Sequence, residues 1–225
     1  MEVLCTVPVI VIGKRHGCCE EVTVVLDNFI VFEGIDGAGT STQLRLLRER
    51  ADSDRFWFTA EPTSAPTGTF LRSMLRGDIA LDPRTAAYLF AADRAEHVWG
   101  KNGIEAQCAH GKLVVSDRYL FSSLAYQSID CGMELPLTLN ASFPLPALLF
   151  FFDIAPEAAL ARVDNRGARE IYEQDDFLHA VRAAYHEVFT RHDSSEMHVV
   201  RLDATQSTEH IAAQIAEELR SRYGV

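Results

Sequence analysis

A chain of 225 residues is long enough for one large domain with a single hydrophobic core. With 48% apolar and 24% charged residues, its composition is that of a folded globular protein and excludes a disordered or fibrous one. The formal net charge of -11, with no long lysine or arginine cluster, argues against a nucleic-acid partner. A few positioned arginines and backbone amides would have to hold any anionic ligand, because the overall field repels it.

Cysteine usage and hydropathy bear on the cell compartment. The cysteines show no spacing typical of a metal or redox site such as C-x-x-C: Cys5, Cys18, Cys19, Cys108 and Cys131. A reducing cytoplasm is therefore expected. No stretch approaches the roughly 20 apolar residues that a membrane span needs, so no membrane partner is expected.

Residues 1–28 stand apart from the domain predicted for residues 29–225, because they precede its first strand and hold three of the five cysteines. Three interpretations remain open: an appended strand, a disordered tail, or a start site assigned too early. We favour the last two. The short apolar run at residues 7–12 lacks a small-residue cleavage site after it, so we do not interpret it as a signal peptide.

Short apolar runs predict buried strands at residues 29–33, 56–60, 113–117, 147–153 and 198–202. They are apolar throughout rather than alternating, as in a sheet covered on both faces. Helical patterns lie between them, at residues 41–51, 68–75, 85–108, 155–163, 175–192 and 208–223. This alternation predicts an α/β fold with a five-stranded parallel sheet flanked by helices.

The segment after the first strand has the spacing of a phosphate-binding loop, G-x-x-x-x-G-K-[ST]. Its residues are Gly34, Ile35, Asp36, Gly37, Ala38, Gly39, Thr40, Ser41 and Thr42. In such a loop, glycines let successive backbone N–H groups and a helix N-terminus face phosphate oxygens. We therefore predict a P-loop NTPase-type fold that binds ATP through this loop, with the Ser41 hydroxyl as a ligand of Mg²⁺.

The loop departs from the pattern at one position, where Thr40 replaces the lysine. A charge-assisted hydrogen bond is worth about 1.5–3 kcal/mol, whereas the backbone donors of the loop do not depend on that side chain. The substitution therefore weakens the prediction of fast catalysis more than the prediction of nucleotide binding. It also leaves open a nucleotide-binding regulator without turnover.

Asp117 and Arg118 end the third predicted strand, so both emerge at the carboxyl edge of the sheet, beside the phosphate loop. A guanidinium there can grip a phosphate through two parallel hydrogen bonds. The alternative is a salt bridge between neighbouring elements.

Phe90 and Arg94 lie four residues apart, on one face of the long predicted helix. An aromatic ring and a guanidinium placed this way can meet the same flat ligand. Taken alone, Phe90 would more often be a core residue.

Together these residues give the chain a resemblance to the thymidylate kinase family. Three segments carry the resemblance: the run from Phe29 through the phosphate loop, Asp117-Arg118-Tyr119, and residues 122–127. Further matches follow in the order that the family has along its chain: Glu61-Pro62, Phe90 with Arg94, and residues 162–169. The resemblance extends from about residue 29 to residue 223. It implies transfer of the γ-phosphoryl group of ATP to dTMP, with Mg²⁺, giving dTDP for dTTP biosynthesis. It also implies a homodimer formed through packed helices, to which the apolar segment 88–92 would contribute.

The resemblance also implies roles for single residues. Arg118 would hold the acceptor phosphate with help from Arg72, and Asp117 would join Ser41 at the metal. Phe90 would stack on thymine while Arg94 reaches a ring carbonyl. Asp36 would face the acceptor sugar or help to place the metal, although a structural role in the turn is also open. Tyr126 would lie under the deoxyribose and exclude a 2′-hydroxyl. Four further residues complete the expected acceptor site: Glu61, Pro62, Ser122 and Gln127.

A polar, arginine-rich segment at residues 162–169 is expected to form a lid by the same resemblance, although a solvated loop is the alternative. Arg162 would contact ATP. Ile171 stands where the family commonly has an arginine, so Arg166 or Arg169 would have to supply the catalytic charge, including the charge missing at Thr40.

Two rival functions remain open at this stage. The first is a kinase for another nucleoside or nucleoside monophosphate on the same scaffold. The second is a degenerate P-loop protein that binds nucleotide and regulates a partner.

Overall fold

A computed structural model of the chain describes residues 24–52, 54–163, 175–192 and 196–225. The strands in this part are β1 (Val25–Gly34), β2 (Phe56–Ala60), β3 (Leu113–Asp117), β4 (Leu145–Asp153) and β5 (His198–Asp203). The first helices are α1 (Thr40–Arg50), α2 (Pro66–Leu75), α3 (Pro83–Trp99), α4 (Ile104–Ala109) and α5 (Leu120–Cys131). They are followed by α6 (Glu134–Asn140), α7 (Pro156–Val163), α8 (Asp175–Arg191) and α9 (Thr208–Tyr223).

The strands form one sheet in the order β2-β3-β1-β4-β5, and every neighbouring pair is parallel. The predicted α/β fold with five parallel strands is therefore confirmed. The connections from β1 and from β3 cross the sheet in opposite directions, which opens a crevice at the carboxyl ends of these two strands. Phe32 of β1 lies opposite Asp117 of β3 there.

The core consists of the central strands and the helices on both faces. Residues 29–33 of β1 are completely buried, and Phe150, Phe151 and Phe152 of β4 are almost completely buried. Because consecutive residues are buried, both faces of the sheet are covered, as the apolar runs predict.

Two predicted elements differ most clearly from the structure. β1 begins at Val25 rather than residue 29, so residues 25–28 belong to a strand, whereas residues 1–23 lie outside the described residues. The helix predicted for residues 85–108 is two helices, α3 and α4. At Gly100 and Gly103 a Cβ would lie 2.3 and 2.6 Å from backbone oxygens of Glu96 and His97, so the tight turn between the two helices requires glycine.

Two helices, α5 and α6, follow β3 in a region for which no separate helix is predicted from the sequence. Residues 123–127 of α5 are all buried. A helix buried on several sides lacks the polar face that produces a helical period. None of the described helices combines the length and the apolar character needed to cross a bilayer.

Candidate active site

The phosphate loop joins β1 to α1 in the predicted position. Gly37 and Gly39 have φ values of 84° and 99°, which favour glycine. α1 begins at Thr40, and Gly39 before it gives no side-chain cap, so the helix N-terminus is left to a ligand. A Cβ at Gly34 would lie 2.9 Å from the carbonyl oxygen of Phe152, so glycine lets β1 and β4 approach closely.

Ser41 and Asp117 meet at the front of the loop. The Ser41 hydroxyl donates to Asp117 Oδ2 at 2.9 Å. Within the described residues, no cluster of three or more His, Cys, Asp or Glu side chains could enclose a metal ion. A hydroxyl and one carboxylate suit Mg²⁺, which keeps several waters and takes its other oxygen ligands from phosphates.

Arg118 connects the tip of β3 to the phosphate loop. Its Nη2 donates to Asp36 Oδ1 at 2.5 Å, and its Nη1 donates to the carbonyl oxygen of Gly34 at 2.9 Å. The guanidinium carbon lies 5.3 Å from the centre of the Tyr126 ring, and the Tyr126 hydroxyl donates to Asp36 Oδ2 at 3.0 Å. The loop and the third strand therefore meet through an ion pair between Arg118 and Asp36. This is the salt bridge that the sequence leaves open as the alternative to phosphate binding by Arg118.

Behind Arg118 lies a buried carboxylate that sequence reasoning missed. Glu33 is 0% exposed and accepts hydrogen bonds from the backbone N–H and hydroxyl of Ser122, from the backbone N–H of Tyr119 and from the hydroxyl of Tyr185. Burial raises the pKa of Glu33 to about 7, while Arg118 and these hydrogen bonds oppose that rise.

Residues of the phosphate loop, the tip of β3 and helices α2, α3 and α5 line a cavity of about 400 Å³. It brings together most of the predicted site: Ile35, Asp36, Gly37, Gly39, Thr40, Ser41, Thr42, Glu61, Pro62, Arg72, Phe90, Arg94, Asp117, Arg118, Ser122, Tyr126 and Gln127. Ala60, Leu75, Tyr119 and Ser123 complete the lining. Of the predicted residues that the structure describes, Gly34, Ala38 and Arg162 do not line the cavity, although Arg162 lies against the phosphate loop.

At the far end of the cavity, a buried ion pair holds Arg94. The arginine is 1% exposed; its Nε and Nη2 donate to Glu61 Oε2 at 2.9 and 2.7 Å, and Nη2 donates to Ser123 Oγ at 3.0 Å. Its Nη1 donates to Asn140 Oδ1. Glu61 Oε1 lies 2.9 Å from His97 Nδ1. The carboxylate of Glu61 is therefore occupied by Arg94 and His97 within the protein.

Two further side chains shape this end. Phe90 is half-buried and packs against the small core cluster that contains Leu71, so the core interpretation holds for part of its surface. Gln127 is buried, and its Oε1 has no hydrogen-bond partner among the described residues. A buried acceptor without a partner is costly, so this oxygen is suited to a donor on a ligand in the cavity.

Asp93 fixes the loop between β2 and α2. It accepts hydrogen bonds from the backbone N–H and the hydroxyl of Thr63, at 2.8 and 2.7 Å, and from the hydroxyl of Thr67 at 2.6 Å. Arg72 Nη2 donates to the carbonyl oxygen of Pro62 in the same loop. The loop therefore holds Arg72 at the cavity wall.

Replacing Gly68 with alanine is expected to destabilise this loop. A Cβ there would lie 2.1 Å from the carbonyl oxygen of Thr63 and 2.5 Å from its amide nitrogen, so Thr63 must leave its bonds to Asp93. Overpacking of this kind costs about 1–3 kcal/mol of unfolding free energy. Thermal unfolding measures the loss, with the exposed Thr69→Ala as the control. Equal midpoints for the two variants would contradict the close contact.

Arg162 joins the phosphate loop to the connection between β5 and α9. Its Nη2 donates to the carbonyl oxygen of Ala204 at 2.8 Å, and its Nη1 lies 3.5 Å from the carbonyl oxygen of Gly37. The other predicted lid residues, Arg166, Arg169 and Ile171, lie outside the described residues.

The residues that sequence reasoning missed share a feature. They hydrogen-bond to other residues of the protein and form no sequence motif of their own: Glu33, Asp93, His97, Asn140 and Tyr185. The one signal available was a carboxylate, Glu33, inside an apolar strand, because a buried charge must be paired.

Comparison with known proteins agrees with this geometry. Residues 32–215 match the family model described as thymidylate kinase. A putative thymidylate kinase of Treponema pallidum (strain Nichols) is 40% identical over 200 residues, covering 87% of this chain and 96% of that protein. A probable thymidylate kinase of Pyrobaculum aerophilum is 37% identical over 193 residues, covering 85% and 96%. A thymidylate kinase of Leptospira interrogans serovar Lai is 35% identical over 195 residues, covering 84% and 92%.

Proposed function

The chain belongs to the thymidylate kinase family and phosphorylates dTMP to dTDP, and on that premise we propose that ATP bound with Mg²⁺ is the phosphoryl donor. The observation that carries the proposal is the contact at 2.5 Å between Asp36 of the phosphate loop and Arg118 of the β3 tip. Two anion-binding elements, one for each substrate, thereby border one cavity. Phosphoryl transfer requires mainly that two anionic substrates be positioned in line.

The donor half consists of the loop and the start of α1. Residues 34–42 hold the phosphates of ATP through backbone N–H groups, and Arg162 lies at the side of the loop where the rest of the nucleotide extends. Ser41 and Asp117 hold Mg²⁺, which neutralises charge on the phosphate oxygens when it is bound.

The acceptor half consists of arginines and aromatic rings. Arg118 and Arg72 bind the phosphate of dTMP, and an incoming phosphate competes with Asp36 for the Arg118 guanidinium. Asp36 and Tyr126, already hydrogen-bonded to each other, lie beside the deoxyribose, where the tyrosine ring excludes a 2′-hydroxyl. Pro62 and Ser122 complete the wall of this half.

In this proposal the thymine ring lies at the end of the cavity lined by Phe90 and Arg94. Phe90 stacks on it, Arg94 donates to a ring carbonyl, and Gln127 Oε1 accepts from the ring N–H. Glu61 serves this end indirectly, because its Oε2 holds Arg94, which lines the cavity, while its Oε1 lies 2.9 Å from His97 Nδ1.

The cation that replaces the P-loop lysine is proposed to come from the lid. Thr40 is buried, with 8% of its surface exposed, and carries no charge. Arg166 and Arg169 remain the predicted substitutes, and alanine variants of each should lower kcat.

Two further properties complete the proposal. Phe70 on α2, Tyr88 on α3 and Ile129 on α5 are exposed by 40%, 57% and 38%, and α3 packs against both α2 and α5. These exposed apolar side chains support a homodimer formed through these helices. We also propose a cytoplasmic location, where ATP and dTMP are available.

Rates with different acceptors test the proposed specificity. We expect ADP release with dTMP to exceed that with dCMP, because Gln127 Oε1 can accept from the ring N–H of thymine, which cytosine lacks. We also expect it to exceed that with dUMP, as membership of the thymidylate kinase family implies. A coupled ADP assay at matched acceptor concentrations measures this. Equal rates for the three acceptors would favour a broader nucleoside monophosphate kinase, and ATP binding without turnover would favour the regulator.

A further inference from the structure

We infer that Glu33 and Tyr185 are positioning residues for Arg118, and that they fix the guanidinium which, under the proposed function, grips the acceptor phosphate. Neither side chain lines the cavity. Glu33 lies on β1, and Tyr185 lies on α8, 152 residues further along the chain. Both contact the surroundings of Arg118 on the side away from the cavity.

Glu33 organises the turn that carries Arg118. Its Oε1 accepts from the backbone N–H groups of Tyr119 at 2.8 Å and of Ser122 at 3.2 Å. These amides belong to the start of α5, directly after Arg118. Since Arg118 has a φ of 68°, an uncommon conformation for a residue with a side chain, the turn needs such support.

Glu33 also sets the direction of two hydroxyl groups. Its Oε2 accepts from Ser122 Oγ at 2.6 Å and from the Tyr185 hydroxyl at 2.8 Å. When it is ionised, Glu33 only accepts hydrogen bonds, so both protons then point towards it. The lone pairs of the two hydroxyl oxygens are then left to accept from another donor.

Arg118 supplies that donor. Its Nη1 lies 3.1 Å from Ser122 Oγ and 3.4 Å from the Tyr185 hydroxyl. Ionised Glu33 thereby orients both hydroxyl groups so that their oxygens face Nη1 of the guanidinium. Nη2 faces Asp36 and the cavity. Tyr185 is 0% exposed and stacks near Phe189, so its ring has little freedom to move away.

Steady-state kinetics of Glu33→Gln and Tyr185→Phe test the inference. Glutamine keeps the shape but presents an N–H group to the hydroxyls, which must then turn their protons away. A displacement of the guanidinium should raise KM for dTMP by about tenfold in Glu33→Gln. Loss of the Tyr185 hydroxyl, which donates to Glu33 and lies 3.4 Å from Arg118 Nη1, should raise it by about fivefold in Tyr185→Phe. The Kd for ATP should change by less than about twofold in both.

Tyr223→Phe is the matched control, because its hydroxyl donates to the carbonyl oxygen of Asp27 at 3.0 Å, at the opposite end of β1. A selective rise in KM for dTMP supports the inference. Wild-type values in Tyr185→Phe, or equal losses of dTMP and ATP affinity in both variants, would overturn it. If Glu33→Gln does not fold, Tyr185→Phe alone decides. If the wild type does not phosphorylate dTMP, that result contradicts the proposed function itself, and the inference that rests on it is overturned as well.

Discussion

Arg118→Lys is expected to lower kcat/KM for dTMP by about 10²- to 10³-fold, the usual effect of removing one preorganised electrostatic group from an active site. Lysine keeps the positive charge, but it cannot face Asp36 through one nitrogen while a second nitrogen bonds Gly34 and Ser122. The phosphate of dTMP would then lose the oriented guanidinium that binds it in the proposed acceptor site. The Kd for ATP should stay close to that of the wild type.

Arg191→Lys provides the matched control for this variant. Arg191 forms an exposed ion pair with Glu187 one helical turn away, and such pairs contribute little. Steady-state kinetics with dTMP as the varied substrate compare the two variants. An Arg118→Lys enzyme within about threefold of the wild type would remove Arg118 from the proposed acceptor site.

Arg94→Met should have the largest effect on stability. Removing one partner of a buried ion pair leaves an uncompensated charge and costs about 3–5 kcal/mol. Here the carboxylate of Glu61, 5% exposed, would keep only His97. For a domain of this size the thermal midpoint should fall by about 10 °C. KM for dTMP should rise as well, because the guanidinium at the base end of the cavity is gone.

The double variant Arg94→Met with Glu61→Gln separates the two effects. Glutamine removes the unpaired charge, so part of the lost stability should return, whereas dTMP affinity should stay low. Thermal unfolding and the KM for dTMP provide the two readouts. If the second substitution lowers the midpoint further, the buried charge is not the cause of the loss.

The sequence was most informative where a pattern is local. The strand runs are consecutive and apolar, so their order and buried character follow from the chain itself, although β1 begins earlier than predicted because Val25 and Leu26 pair with β4 beyond an irregularity in register. The phosphate loop and the Asp117-Arg118 pair follow from spacing and from the edge of the sheet on which parallel strands end.

The sequence was least informative where burial or long-range packing decides. Most of α5 is buried, so it offers no alternating polar face, and the break between α3 and α4 depends on backbone contacts at Gly100 and Gly103. The contact between Glu33 and Tyr185 depends on how α8 packs against β1. No spacing rule relates such residues.

ADP formation by the purified chain with Mg²⁺ and ATP, measured with and without dTMP, tests the proposed two-substrate cavity most directly. We expect slow ATP consumption without dTMP and fast consumption with dTMP, with one dTDP formed for each ADP, because Arg118 and the phosphate loop border one cavity. ATP binding with no dTMP-dependent ADP, under conditions in which the protein is folded, would contradict it.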